Sequence, residues 1–175
     1  IDLDVDFNDK ITFTIIDNGH GMNSVEMENA ITYGSSGDKK KSYNLSLGKF
    51  GLGLKTSSTA FCRRLCIMSK LKNSPIDEQI VLDLDHIDKV NDWETLWEEP
   101  NKKRMELLND LVKDSTGTCI AWEQVDRLKS EQTIKDIPST KLKSLVKKQL
   151  IDLEIHLGLT FQRFIDSTFE KVPNI

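Results

Sequence analysis

An apolar strand runs into a glycine turn at Ile15-Ile16-Asp17-Asn18-Gly19-His20-Gly21-Met22. The strand delivers the Asp17 carboxylate to a turn whose two glycines let the backbone approach a flat ligand closely. A partly buried carboxylate is a strong acceptor for an amino group. The same residues also suit a plain Asp-Asn-Gly turn between a strand and a helix. Taken alone, this stretch leaves both interpretations open.

A second glycine cluster follows at Leu47-Gly48-Lys49-Phe50-Gly51-Leu52-Gly53-Leu54-Lys55. A helix is predicted to begin directly after it, so that free backbone amides and the positive end of the helix dipole would point at a phosphate. Lys55, Thr56 and Ser57 could add further donors. The alternative is a flexible glycine-rich loop. A Walker A loop does not fit, because Leu54 stands between Gly53 and the lysine.

The periodicity of apolar residues predicts the elements around these clusters. A hairpin of two half-buried strands precedes the first cluster, and Asn23 with Glu26 forms a capping box for the helix after it. Further strands are predicted at 65–71, 79–84 and 118–122, and further helices at 55–61 and 102–112. Residues 141–164 are predicted to form one long amphipathic helix or two in succession. Residues 91–100 are predicted to be irregular, with Trp93 and Trp97 as packing anchors. This order favours a two-layer α+β sandwich, with a mixed, largely antiparallel sheet and helices on one face.

Composition and charge narrow the classes of function. Hydrophobic residues make up 38% of the 175 residues and the net charge is -4, so bulk charge does not support nucleic-acid binding. No apolar run approaches the length of a membrane span. The three cysteines, Cys62, Cys66 and Cys119, match no common zinc spacing and are predicted to be reduced and mostly buried. A cytoplasmic protein, or a nuclear one in a eukaryote, is expected.

The two clusters together resemble the nucleotide-binding boxes of the GHKL (gyrase, Hsp90, histidine kinase and MutL) ATPase superfamily, also called the Bergerat fold. The stretch Asp17 to Met22 matches the Asp-x-Gly-x-Gly box, and Gly48 to Lys55 matches the Gly-x-x-Gly-x-Gly box. Residues 115–122 resemble the later Gly-Thr strand. Within the superfamily, residues 30–36 and 48–58 look most like the MORC-like and MutL-like branch.

The resemblance implies roles for individual residues in binding ATP, with Mg²⁺ between the phosphates. Asp17 would bind the adenine amino group with help from Thr118, and Met22 would pack on the base. Gly21 would let the base approach, and residues 33–50 would form a lid over the triphosphate. The backbone of Gly48, Gly51, Leu52 and Gly53 would hold the phosphates. The implied binding residues are Asp17, Gly19, Gly21, Met22, Gly48, Lys49, Phe50, Gly51, Leu52, Gly53, Lys55 and Thr118.

The family also has a helix before the first hairpin, with a Glu that activates water and an Asn that holds Mg²⁺. No residue of this sequence matches that helix, so no catalytic residue and no metal ligand is assigned. We expect an N-terminally truncated ATP-binding domain at 1–130 and a helical segment at 131–175 that leads toward a transducer-like domain. The resemblance implies an ATPase in the full-length protein, and this chain is expected to bind nucleotide weakly and to hydrolyse it negligibly.

The functional hypotheses therefore belong to different classes. The first is the ATP-binding module of a conformational ATPase, which in its full-length form could dimerise and act on DNA or protein clients through other domains, without a membrane partner. The second is a non-catalytic protein-interaction domain that retains the fold. A sensor histidine kinase is disfavoured, because no phosphoacceptor histidine region precedes the domain and residues 33–36 suit the MORC-like branch better.

Overall fold

The computed structural model describes residues 2–6, 11–32, 52–125 and 139–162. The described strands are β1 (Asp2–Asp6), β2 (Thr12–Asp17), β3 (Cys62–Lys70), β4 (Gln79–Asp83), β5 (Leu96–Glu98) and β6 (Gly117–Val125). They form one sheet in the order β1-β2-β6-β3-β4-β5, in which every neighbouring pair is antiparallel. The described helices are α1 (Ser24–Ile31), α2 (Gly53–Phe61), α3 (Leu84–Val90), α4 (Lys102–Val112) and α5 (Ser139–Thr160). The predicted α+β fold with a largely antiparallel sheet is confirmed.

Helices α1 and α2 lie against one face of this sheet. The ring of Phe61, at the end of α2, meets Phe13 and Trp122 edge-on, with centroid distances of 5.6 and 5.0 Å. The indole nitrogen of Trp122 also donates to Ser58 Oγ on α2 at 2.8 Å. Because side chains alternate along a strand, Asp17 lies on the same face of β2 as Phe13. The first glycine box and the helix that follows the second box therefore share one face.

Helix α4 packs on the opposite face of the sheet. Its residues Leu108 and Val112 form a buried cluster with Ile16, Met68 and Cys119. These three sheet residues are register partners on β2, β3 and β6, and alternation directs them away from α2. The prediction of helices on one face holds for α1 and α2, and α4 adds apolar cover to the other face.

The start of α1 follows the predicted capping box. The side chain of Asn23 accepts from the amide of Glu26 at 2.9 Å, and the carboxylate of Glu26 accepts from the amide of Asn23 at 2.9 Å. Both contacts satisfy amides that a helix leaves unpaired at its first turn. Met27 and Ile31 are buried one turn apart, so they form the side of α1 that faces the core.

The prediction of an irregular segment at 91–100 is wrong at β5, and helix α3 just before it was not predicted. The carboxylate of Asp83 caps α3 by accepting from two first-turn amides. None of its residues is buried, so an apolar stripe could not signal it. Trp93 and Trp97 are 44% and 38% exposed. The prediction that they anchor the packing is therefore also wrong.

The described residues divide into two compact units. The sheet and helices α1 to α4 belong to the first, and α5 belongs to the second. Along α5, Val146 is buried, while most of the described apolar side chains are exposed: Leu145, Ile151, Leu153, Ile155, Leu157 and Leu159. Among the helices of the described ranges, none has the length and apolar character that crossing a membrane requires.

Candidate functional site

Asp17, the last residue of β2, begins a turn that its own carboxylate holds. Its Oδ1 atom accepts from the amide of Gly19 at 2.8 Å. A Cβ at Gly19 would meet the same oxygen at 2.8 Å, closer than van der Waals contact allows. On the other side, the hydroxyl of Thr116 donates to the carbonyl of Gly19 at 2.6 Å. The first glycine box is thus tied to the loop before β6.

Two glycines let separate backbone segments meet beside Asp17. Gly21 has a φ of +72°, and a Cβ there would lie 2.3 Å from the carbonyl oxygen of Lys70. At Gly117, a Cβ would lie 2.3 Å from the carbonyl oxygen of Asp17. Gly21 is required by both its dihedral angle and its packing, whereas Gly117 is required by packing alone.

A row of polar side chains crosses three strands at this end of the sheet. Thr118 on β6 is the register partner of both Asp17 on β2 and Ser69 on β3, so the three side chains lie on the same face. Ser69 Oγ lies 3.1 Å from Thr118 Oγ1 and accepts from the amide of Met22 at 2.7 Å. The structure therefore brings together the predicted residues Asp17, Gly19, Gly21, Met22 and Thr118.

A cavity of about 270 Å³ opens next to this row. Met22 and Ser69 contribute to its wall, together with Met27 of α1 and residues of the β3–β4 turn. Asp77 and Glu78 also line it, whereas Asp17 is not among its lining residues. A ligand that contacts Asp17 would therefore lie at the end of β2, beside this cavity and not inside it.

The second glycine box is described only from Leu52 onward. Gly48, Lys49, Phe50 and Gly51, like the predicted lid, lie outside the described residues. Leu52 and Gly53 are exposed at the start of α2, and no side-chain hydrogen bond caps this helix end. The exposed helix start is the kind of position at which an anion is favoured.

The hydroxyls that could have added donors to this site are used inside α2. Thr56 Oγ1 donates to the carbonyl of Leu52 at 2.8 Å, and Ser57 Oγ donates to the carbonyl of Gly53 at 2.5 Å. Such contacts satisfy the helix's own backbone. The hypothesis that Thr56 and Ser57 add donors for a phosphate is therefore not supported by their geometry.

Lys55 lies inside the protein. Its ammonium donates to the carbonyl of Thr32, the residue that ends α1, at 2.6 Å. Burial disfavours the charged form and lowers the pKa of Lys55. In this structure Lys55 joins the end of α1 to the start of α2, while Leu52 and Gly53 lie at the surface.

The cysteines behave as predicted for a reduced core. Cys62, Cys66 and Cys119 are free and buried. Burial raises the pKa of Cys66 to about 12 and that of Cys119 to about 11, so these two thiols stay protonated at neutral pH. Across the part of the chain that the structure describes, no group of three or more His, Cys, Asp or Glu side chains could hold a metal ion.

Most of the chain matches a known family of ATPases. The family described as "Histidine kinase-, DNA gyrase B-, and HSP90-like ATPase" matches residues 1–118. The chain belongs to this ATPase family. The match covers the first glycine box, the second box and the start of β6. Members of the family of histidine kinase-, gyrase B- and HSP90-like ATPases bind ATP, usually with Mg²⁺. A search among curated proteins finds no match.

Sequence reasoning missed some of the residues that shape the site in this family member. Ser69 gave no signal, because its place beside Thr118 follows from the pairing of β3 with β6. Gly117 and Thr116 stood within the Gly-Thr stretch that resembled the family. Their contacts with Asp17 and Gly19 cross about a hundred residues of sequence. No local pattern could have indicated those contacts.

Proposed function

We propose that this chain is the nucleotide-binding module of a conformational ATPase, and that Asp17 and Thr118 recognise the adenine amino group. The observation that carries the proposal is the polar row at the end of β2, β6 and β3. In this row Asp17 and Thr118 are register partners on neighbouring strands, and Gly21 makes a close backbone contact with Lys70 beside them. Met22 follows that glycine and would pack on the base.

The phosphates would extend from this row toward the start of α2. That helix lies on the same face of the sheet as Asp17, and its N-cap residue Leu52 and first residue Gly53 are both exposed. The aligned peptide dipoles favour negative charge at such an end. The family's Mg²⁺ would lie between these phosphates. Lys55 would act on this site indirectly, by joining α1 to α2.

Equilibrium binding of ATP and ADP to the chain tests the proposal, measured by isothermal titration calorimetry. Asp17→Asn should raise the dissociation constant by about 10- to 100-fold, because a hydrogen bond to a charged group contributes about 1.5–3 kcal/mol. The fold should survive, since the Asn side chain still offers an oxygen to the amide of Gly19. Asp4→Asn is the matched control, because Asp4 is a half-exposed carboxylate on β1 paired with Lys103. Equal affinities of the two variants would contradict the proposal.

We propose further that this chain by itself turns ATP over very slowly. The support is sequence alone: none of its residues matches the family helix with the Glu that activates water and the Asn that holds Mg²⁺. In-line attack on the terminal phosphate needs such positioning. A phosphate-release assay with Mg-ATP should stay at background. Robust hydrolysis that Asp17→Asn abolishes would refute this part of the proposal.

Within the family we propose the MORC-like or MutL-like branch, from the sequence of residues 30–36 and 48–58. Modules of this kind close on ATP and pass the change to attached domains that act on DNA or protein clients. A homodimer that forms with nucleotide would fit this role. Sedimentation of the full-length protein with and without a non-hydrolysable ATP analogue tests it. An unchanged monomer in both samples would contradict dimerisation.

A further inference from the structure

We propose that Ser69 sets the direction of the hydrogen bonds in the polar row, and thereby selects a 6-aminopurine over a 6-oxopurine. The inference rests on the proposed nucleotide-binding function and adds the residue that chooses the base. Ser69 lies near the end of β3 at the wall of the cavity and is 8% exposed, and Thr118 beside it is 6% exposed. Protein partners therefore surround most of both side chains.

The direction follows from counting protons around Ser69 Oγ. A hydroxyl has one proton to donate and two lone pairs that accept. One lone pair accepts from the amide of Met22 at 2.7 Å. The carbonyl of Gly117, 3.0 Å away, can accept but not donate, so the serine proton points there. The contact of 3.1 Å with Thr118 Oγ1 is then a bond in which Thr118 donates and Ser69 accepts.

This assignment leaves Thr118 with acceptor capacity alone toward a ligand, because its single proton is already given to Ser69. The neighbouring Asp17 carboxylate likewise only accepts. Asp17 and Thr118 lie side by side as register partners on β2 and β6, and together they form a surface of acceptors. Such a surface is complementary to a group that carries two N–H donors.

The two common purines differ in this respect at the 6-position. Adenine carries an amino group there, with two donors, whereas guanine carries a carbonyl oxygen that only accepts. The carbonyl would meet the lone pairs of Asp17 and Thr118 without a proton between them. A bridging water keeps the same preference, because a water that donates both protons to Asp17 and Thr118 has only lone pairs left for the base.

The test is the ratio of the dissociation constants for GTP and ATP, measured by calorimetry on this chain. Wild-type protein should prefer ATP. In Ser69→Ala, Thr118 loses its acceptor partner and becomes free to donate to a 6-oxo group. The preference for ATP should then fall by about tenfold. A change of this size is expected when one buried polar group gains or loses its hydrogen-bond partner. Ser69→Thr keeps the hydroxyl and should keep the ratio.

The ratio of the two dissociation constants separates this inference from a merely structural role of Ser69, since a loss of packing weakens the binding of ATP and GTP alike. If circular dichroism shows that Ser69→Ala is unfolded, Ser69→Cys takes its place, because a thiol is a weak donor and acceptor and should also lower the ratio. An unchanged ratio in a folded variant that still binds ATP overturns the inference and leaves the proposed function standing. Equal binding of ATP and GTP by the wild type also overturns it. If the wild-type protein does not bind ATP, both the proposed function and this inference are wrong.

Discussion

Gly21 is the residue whose backbone is most constrained at the candidate site. Its φ of +72° belongs to the left-handed region, and the carbonyl of Lys70 occupies the space that a Cβ would need. Replacing it with alanine adds dihedral strain and forces β3 and the turn apart. We expect Gly21→Ala to lower the free energy of unfolding by about 2–4 kcal/mol, as measured by urea denaturation.

Gly53 provides the matched control for this substitution. It is the first residue of α2, and nothing lies within 4 Å of the position that its Cβ would take. Alanine is favoured over glycine in a helix by up to about 1 kcal/mol, so Gly53→Ala should leave stability unchanged or raise it slightly. Similar losses in the two variants would show that the close approach at Gly21 is not what holds the turn.

Single residues differ in how well the sequence predicted them. The place of Asp17 before a glycine turn and the capping pair Asn23 and Glu26 were predicted, because both are local patterns. The role of Asp17 in binding stays a prediction. Ser69 was not, because its role depends on which strands pair. Lys55 stood in a phosphate-binding pattern, yet its contact with Thr32 depends on how α1 and α2 lie together.

At the scale of elements, Arg64 joins four neighbouring strands on the face that α4 covers. Its guanidinium, on β3, contacts three carboxylates: Asp83 at 3.3 Å, Glu98 at 2.6 Å, and Glu123. Arg104 of α4 reaches the same Glu123 at 2.7 Å. The network therefore links β4, β5, β6 and helix α4 to strand β3.

Removing Arg64 should weaken the sheet much more than removing its neighbour Arg63. The side chain of Arg64 is 17% exposed, whereas Arg63 is 35% exposed and pairs with exposed aspartates on α3. We expect Arg64→Met to lower the free energy of unfolding by about 3–4 kcal/mol, because it leaves partly buried carboxylates without a charged partner. Arg63→Met should lower it by less than about 1 kcal/mol. Urea denaturation at pH 7 measures both, and equal costs would contradict the assigned role.

The same network makes the effect of Arg64 depend on pH. Burial opposes the charge on Glu123, but Arg104 and Arg64 outweigh it and lower its pKa below the ordinary value of 4.5. A carboxylate with a lowered pKa stabilises the fold above its unfolded pKa and loses that contribution as pH falls through the folded one. The difference in unfolding free energy between wild type and Arg64→Met should therefore shrink below about pH 4.5. A difference that grows in acid would contradict this.

Elements with strong periodicity were predicted, and elements without it were not. The hairpin, β3, β4, β6 and α4 carry alternating or helical apolar patterns that the sheet and its two faces bury. Helix α3 has no buried residue, and β5 has three residues, so neither leaves a pattern. The packing of α4 on the far face was not predicted, because an apolar stripe shows that a helix is covered but not by which surface.

At the scale of the whole sheet unit, the three thiols report on opening of the core. Cys62, Cys66 and Cys119 are buried on central strands, and the raised pKa values of Cys66 and Cys119 suppress their thiolates at pH 8. Their alkylation in the folded protein should be about a thousandfold or more slower than in urea, since reaction requires opening of the core. Fast labelling of the native chain would show that the sheet is open in solution.

A ligand that binds the folded state should slow this labelling further. Binding to the native state stabilises it by RT ln(1 + [L]/Kd), or about 2.7 kcal/mol at a hundredfold excess over Kd. Saturating ADP should therefore slow alkylation of all three thiols by about a hundredfold where reaction follows opening. Asp17→Asn should lose this protection at the same ADP concentration, whereas Asp4→Asn should keep it. Protection that is independent of Asp17 would place the nucleotide elsewhere.

The central claim is that the purine of an adenine nucleotide lies against the row formed by Asp17, Thr118 and Ser69. A crystal structure of this chain with ADP tests it most directly. We predict that the amino nitrogen of the base lies within about 3 Å of an oxygen of Asp17 or Thr118, or of one water that bridges them. Well-ordered ADP bound away from this row, with Asp17 and Thr118 contacting neither the base nor such a water, would contradict the claim.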